Sequence, residues 1–190
     1  MIYGERIRFR APERSDLPMF VRWINDPEVR RGVDLYRPYS LANEEGWFEA
    51  MLKRPMEEQP FVIEVRHNGS EGDETWTPIG NTSLFGIDWH CRSAEFGIMV
   101  GEKRYWDQGY GTEAVRLIVK YGFKTLNMHR IWLRVYETNP RAIRAYEKAG
   151  FKLEGRYRQG KYQEGAYVDV LLMSILRPEW QEQEQAPSAG

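Results

Sequence analysis

Trp106-Asp107-Gln108-Gly109-Tyr110-Gly111-Thr112-Glu113-Ala114 is a glycine-bearing loop that empties into an apolar-periodic segment. Gly109 and Gly111 carry no side chain that would hold a ligand off the backbone. The helix expected to begin near Thr112 would point unpaired N–H groups and the positive end of its dipole at the same place. The stretch therefore predicts an anion site. Alone, it is equally compatible with a loop that uses glycine only to turn, so its flanks must decide.

Downstream, Ala114, Leu117, Ile118 and Tyr121 recur at i, i+3, i+4 and i+7, the spacing of a helix with one buried face. Ile131-Trp132-Leu133-Arg134-Val135 is the strand it leads to, and strand, helix, strand in one sheet implies a right-handed crossover between parallel strands. Asn139 and Pro140 read as N-cap and first residue of a further helix, with Ala142, Ile143, Tyr146 and Ala149 inward and Gly150 as its stop. Residues 151–157 and 166–176 read as a closing antiparallel pair.

Upstream, Glu5-Arg6-Ile7-Arg8-Phe9-Arg10 alternates as a half-buried strand does, and Arg6, Arg8 and Arg10, with Arg14, read as a solvated face. Leu17, Phe20, Val21 and Ile24 mark a helix closed by Asp26-Pro27. Trp47, Phe48, Met51 and Leu52 mark a second one, which follows the cap Ser40 and ends before Pro55. Phe61-Val62-Ile63-Glu64-Val65, residues 79–87 and residues 94–100 should form an antiparallel meander, with a polar loop over 67–77. The predicted class is α+β: a central mixed, mostly antiparallel sheet of about seven strands flanked by about four helices. Residues 1–180 form one domain in this reading, and 181–190 a flexible tail with little apolar content.

A chain of 190 residues can bury a full single-domain core, and its net charge of -1 provides no basic field to gather nucleic acid or anionic lipid. The apolar runs are too short to cross a bilayer, the start has no signal-peptide pattern, and a lone Cys91 excludes an internal disulfide. A cytoplasmic protein is expected. His67, His90, Cys91 and His129 lack metal-ligand spacing, so no metal is predicted, and Cys91 beside His90 is disfavoured as a nucleophile because adjacent side chains point apart.

Gly109, Gly111 and Ala114 formally match a dinucleotide-binding fingerprint. The context does not. The polar residues 101–108 separate the first glycine from its strand, and the acid expected about twenty positions on would fall at His129 or Arg130.

The ordered set instead resembles the GCN5-related N-acetyltransferase superfamily. Ala94-Glu95-Phe96-Gly97-Ile98-Met99-Val100 resembles its fourth strand, Trp106 to Ala114 its pyrophosphate loop, and Asn139, Ala142, Tyr146, Gly150 and Phe151 its late motif. Leu153-Glu154-Gly155-Arg156-Tyr157-Arg158, Tyr167-Val168-Asp169-Val170 and Leu176-Arg177-Pro178-Glu179-Trp180 are similar to the branch that acetylates ribosomal-protein N-termini.

The resemblance implies acetyl-CoA as co-substrate and splayed fourth and fifth strands. Ile98, Met99 and Val100 would meet the pantetheine, and Trp106, Gln108, Gly109, Tyr110, Gly111 and Thr112 the pyrophosphate. Asn139 would cap its helix and touch CoA. Tyr146 corresponds to the family's usual general acid. Glu95, fourteen residues before Gly109, is placed as the general base of histone-acetylating relatives is, with an ordered water as the other candidate. Trp23, Asn25, Glu28, Tyr36, Trp47 and Phe85 would line the acceptor groove.

Two loop residues depart from the pattern. Trp106 stands where the family has arginine or glutamine, and Asp107 adds a carboxylate. A carboxylate about 7 Å from a phosphate would repel it by about 2 kcal/mol at an effective dielectric near 20, so Asp107 should point to solvent or pair with Lys103 or Arg104. The implied activity is direct acetyl transfer in a ternary complex to a primary amine, such as the N-terminus of a ribosomal or other protein. A small-molecule amine (polyamine, aminoglycoside or amino acid) is the alternative acceptor, and a noncatalytic CoA-binding protein the further one. A homodimer is compatible with this reading.

Overall fold

The computed structural model describes residues 1–33, 35–68 and 74–185. In chain order its elements are β1 (Ile2–Tyr3), β2 (Ile7–Arg10), α1 (Leu17–Asn25), α2 (Pro27–Arg30), α3 (Leu41–Met51), β3 (Phe61–Asn68), β4 (Glu74–Asp88) and β5 (Ser93–Val100). There follow α4 (Tyr110–Lys124), β6 (Arg130–Tyr136), α5 (Pro140–Lys148), β7 (Lys152–Gln163), β8 (Ala166–Leu176) and α6 (Arg177–Gln185). The described strands form one sheet in the order β1-β2-β3-β4-β5-β6-β8-β7. Only β5 and β6 run parallel, and they pair at just three positions, Ser93 with Arg130, Ala94 with Ile131 and Glu95 with Trp132. Beyond Glu95 they part, while β5 keeps its β4 partner through Val100. The expected mixed sheet with splayed strands is present.

Alternation along β5 sorts its side chains to two helical layers. Met99 packs with Phe20, Trp23, Phe48 and Val62 beneath α1 and α3. Phe96, Ile98 and Val100 pack on the other face with Val115 and Ile118 of α4 and Tyr146 of α5. Helix α4 lies close to the sheet because Gly122 leaves room: a Cβ there would sit 2.7 Å from Ile131 Cδ1 and 2.9 Å from Leu84 Cδ1. The caps are those the sequence carries. Ser40 and Asn43 form a capping box on α3, Asn139 Oδ1 accepts from Ala142 N at 3.2 Å, and Gly150 (φ 97°) turns the chain after α5.

Several local expectations are corrected. Asp26 does not simply end a helix: its side chain accepts from Glu28 N and Val29 N and starts α2. The polar loop is shorter than 67–77, since β3 runs to Asn68 and β4 begins at Glu74, and 69–73 lie outside the described residues. The chain beyond Gln181 stays helical to Gln185, with Trp180 buried against Phe123, while 186–190 lie outside the described residues.

The four arginines read as a solvated face divide: Arg6 and Arg14 are exposed, whereas Arg8 and Arg10 are not. Arg8 and Arg10 both bond Glu64, which is 5% exposed, at 2.6 and 2.7 Å, and Arg10 also bonds Asp16. Alternation alone cannot tell water from a row of buried carboxylates. Among the described residues no helix is long and apolar enough to cross a membrane, and no group of three or more His, Cys, Asp or Glu could hold a metal ion.

Candidate active site

A cavity of about 1290 Å³ opens where β5 and β6 part, with walls from both helical layers. It exceeds the roughly 300–1,000 Å³ of an ordinary small-molecule pocket, enough for two ligands meeting between the strands. Glu95, Ile98, Met99, Val100, Trp106, Gly109, Gly111, Thr112, Asn139 and Tyr146 all line it, as do Glu28, Trp47 and Phe85. Gln108 and Tyr110 lie off it. The Gln108 side chain bonds the Arg104 carbonyl, and Tyr110 packs edge-on against Tyr105.

Three of the six residues expected in the acceptor groove have other work. Trp23, 2% exposed, packs its ring onto Gly101, where a Cβ would come within 2.2 Å, and donates Nε1–H to Glu102 at 2.9 Å. Asn25 bonds both backbone groups of Tyr39 and so fixes the approach to α3. Tyr36 is 70% exposed, and its hydroxyl accepts from Lys161 Nζ at 2.7 Å.

The glycine loop has the shape of an anion cradle. Gly109, at φ 84°, is the N-cap of α4, which begins at Tyr110 rather than Thr112, and no side chain caps the helix. A Cβ on Gly111 would meet only Val100 Cγ2, at 4.0 Å, so the space in front of the helix N-terminus is open. Such a terminus suits phosphate. Arg6 braces the loop from outside: it donates to the Gln108 carbonyl at 3.2 Å, bonds both oxygens of Glu113 and covers the Tyr110 ring at 4.4 Å. Of the two expectations for Asp107, exposure to solvent holds and pairing with Lys103 or Arg104 does not. Lys103 is taken by Asp26 at 2.8 Å and lies 3.6 Å from Glu28, Arg104 is 3.9 Å from Glu102, and Asp107 instead exerts its charge on Arg141.

Tyr146, 8% exposed, is held edge-on by Phe96 with centroids 5.9 Å apart and flanked by Phe151. Burial raises its hydroxyl well above the usual tyrosine range, so the group stays protonated across ordinary pH. No described residue hydrogen-bonds it. Glu95 lies on the opposite face of β5. Arg134 Nε donates to its Oε1 at 2.9 Å and a terminal guanidinium nitrogen lies 2.8 Å from the same oxygen, leaving Oε2 for a ligand.

Two cavity residues escape the sequence reading. Glu44 is 5% exposed, and burial alone lifts its carboxyl from 4.5 to about 7. No hydrogen bond or ion pair joins it to a described residue. Its signal is present but easily missed: Glu44, Trp47, Phe48 and Met51 share one helical stripe, so a carboxylate occupies an apolar position. The second is Arg141 in the first turn of α5, whose guanidinium lies 3.4 Å from the Trp106 ring centroid.

The family profile described as "Acetyltransferase (GNAT) domain" matches residues 6–152. The spermidine N(1)-acetyltransferase of Vibrio cholerae is 29% identical over 188 residues, covering 96% of this chain and 99% of the relative. A Bacillus subtilis protein named "Probable N-acetyltransferase YjcK" is 38% identical over 168 residues, covering 82% and 91%. The crystal structure of the Vibrio cholerae spermidine N-acetyltransferase with CoA and spermine superposes with a TM-score of 0.79 at 27% identity, over 94% of this chain and 99% of that one. The Vibrio cholerae relatives are named for spermidine, not for the ribosomal-protein N-termini of the branch that the late segments resemble. With the open loop at Gly111, the splayed strands and these likenesses together, the chain belongs to the GNAT acetyltransferase family and is an acetyl-CoA-dependent N-acetyltransferase.

Proposed function

We propose that the acceptor is a small polycationic amine of the polyamine class. Glu44 carries this reading. An unpaired carboxylate held out of water is costly unless a cation completes it. Here it lines the cavity beside Phe20, Tyr39, Trp47 and Phe85, with Glu28 and Glu95 on the same cavity wall system. Aromatic faces and carboxylates together suit alkylammonium groups. The Vibrio cholerae relative, crystallised with CoA and spermine, supports the same class.

The chemistry follows from the two faces of the opening. Acetyl-CoA supplies the activated acyl carbon. The amine nitrogen forms the new C–N bond from the α1 and α3 side while the C–S bond breaks. Tyr146 gives its hydroxyl proton to the departing sulfur, and the free Oε2 of Glu95 takes the proton that the nitrogen loses. Solvent then restores both groups.

The test is an acceptor series (spermidine, a diaminoalkane, a monoamine of matched length, an aminoglycoside and a peptide with a free N-terminus) followed by release of CoA thiol. Spermidine and the diamine should show the highest kcat/KM. Faster turnover of the peptide would overturn the proposal and restore the protein N-terminus as acceptor.

A further inference from the structure

The family's loop carries an arginine or glutamine three residues before its first glycine, and this chain has Trp106 there. The tertiary structure places a cation at that point from another element. Trp106 is locked by its Nε1–H, which donates to the Val100 carbonyl at 2.8 Å. On the fixed indole, 3.4 Å from the ring centroid, rests the guanidinium of Arg141. Arg141 lines the cavity together with Gly109, Gly111 and Thr112, and Arg144 and Lys148 follow it along the same wall at i+3 and i+7. We propose that Arg141, seated on Trp106, is the cation that binds the pyrophosphate of CoA, replacing from α5 the side chain the loop lacks.

Three observations support the assignment. Arg141 has no ion-pair partner among the described residues, although Asp107 and Glu28 act on it at longer range. Burial pulls its guanidinium below the usual arginine value, so the cation is partly desolvated and completed best by an anion. Its fork of N–H donors also matches phosphate oxygens in a way that a backbone cradle alone does not. On this account Asp107 is no longer an anomaly. Its charge acts on Arg141, which lines the same cavity, and so helps to keep the guanidinium there. The inference concerns the cofactor half of the cavity and stands whichever amine is the acceptor.

The test measures dissociation constants of three ligands by calorimetry or competitive displacement: CoA, 3′-dephospho-CoA, which keeps the pyrophosphate, and pantetheine, which has no phosphate. Arg141→Met should weaken CoA and 3′-dephospho-CoA by the same factor, about 10-fold or more, and leave pantetheine unchanged. Arg141→Lys, which keeps the charge but loses the fork, should fall between. Equal weakening of all three ligands would make Arg141 a scaffold for Trp106. Weakening of CoA alone would assign it to the 3′-phosphate, and no change would remove it from the site; each of these outcomes overturns the proposal.

Discussion

Replacing Glu44 with glutamine should stabilise the protein, and only above a definite pH. Glu44 follows the Ser40 capping box and lies against the apolar cluster of α1 and α3, 5% exposed, with a folded-state value of about 7 against 4.5 for an ordinary glutamate. A shift of that size corresponds to about 3 kcal/mol, at 1.36 kcal/mol per unit. The sign follows from linkage. Because folding raises the value, the unfolded chain releases the proton first. The neutral carboxyl is therefore at no disadvantage below 4.5, and stability is lost as pH rises from 4.5 through 7 and then levels off.

Glutamine has nearly the same shape and cannot ionise. Urea denaturation of the two proteins should accordingly give similar stabilities at pH 4.5 and a Glu44→Gln advantage of about 1–3 kcal/mol at pH 8. Glu44 lines the open cavity, so water there screens part of this and about 3 kcal/mol is the ceiling. If the variant were less stable at pH 8, or its advantage the same at both pH values, the carboxylate would have a partner and the reasoning would fail. Spermidine should raise the melting temperature of the wild type more at pH 8 than Glu44→Gln permits, because an ammonium beside the ionised carboxylate offsets its desolvation.

Tyr146→Phe should lower kcat about 10²-fold while leaving the dissociation constant of CoA nearly unchanged, as loss of a proton donor predicts; an unaltered kcat would dismiss it from the reaction. Glu95→Gln should lower kcat about 10²-fold with little change in the dissociation constant of CoA, and an unaltered kcat would leave Glu95 only its ion pair with Arg134. Gly111→Val should raise KM for acetyl-CoA at least 10-fold, since the space in front of the residue is open to a Cβ, which would meet only Val100 Cγ2 at 4.0 Å, and the larger side chain would fill the cradle; a full-affinity variant would place the phosphates elsewhere. Ile118→Ala, at a fully buried position of α4, should cost about 2–5 kcal/mol of stability, and a loss below about 1 kcal/mol would contradict the packing described.

The elements and their order are legible in the chain because each is written locally. Apolar residues at helical spacing define α1 and α4, strict alternation defines β2, and Ser40, Asn139 and Gly150 mark helix ends by the hydrogen bonds or φ values that those residues supply. The glycine loop is legible for the same reason: Gly109 and Gly111 meet backbone requirements that depend on few neighbours.

Periodicity, however, assigns a side chain to a face and says nothing of what covers it. Trp23 and Trp47 both sit on apolar helix faces, yet one packs onto Gly101 and the other borders the cavity. Arg8 and Arg10 alternate like solvated residues and are instead bound to Glu64, more than fifty positions away. The charge of Glu44 likewise acquires its meaning only from the helices and strands that shut out water. The sequence by itself therefore determined the α+β order of elements and the open glycine loop, since these rest on short-range backbone and spacing rules, while Tyr146 and Glu95 entered as reactive candidates through the family resemblance. Only the tertiary structure decided that Glu44 is a buried, partnerless carboxylate and that Arg141 reaches the loop from α5, because desolvation and long-range contact exist only once the layers pack.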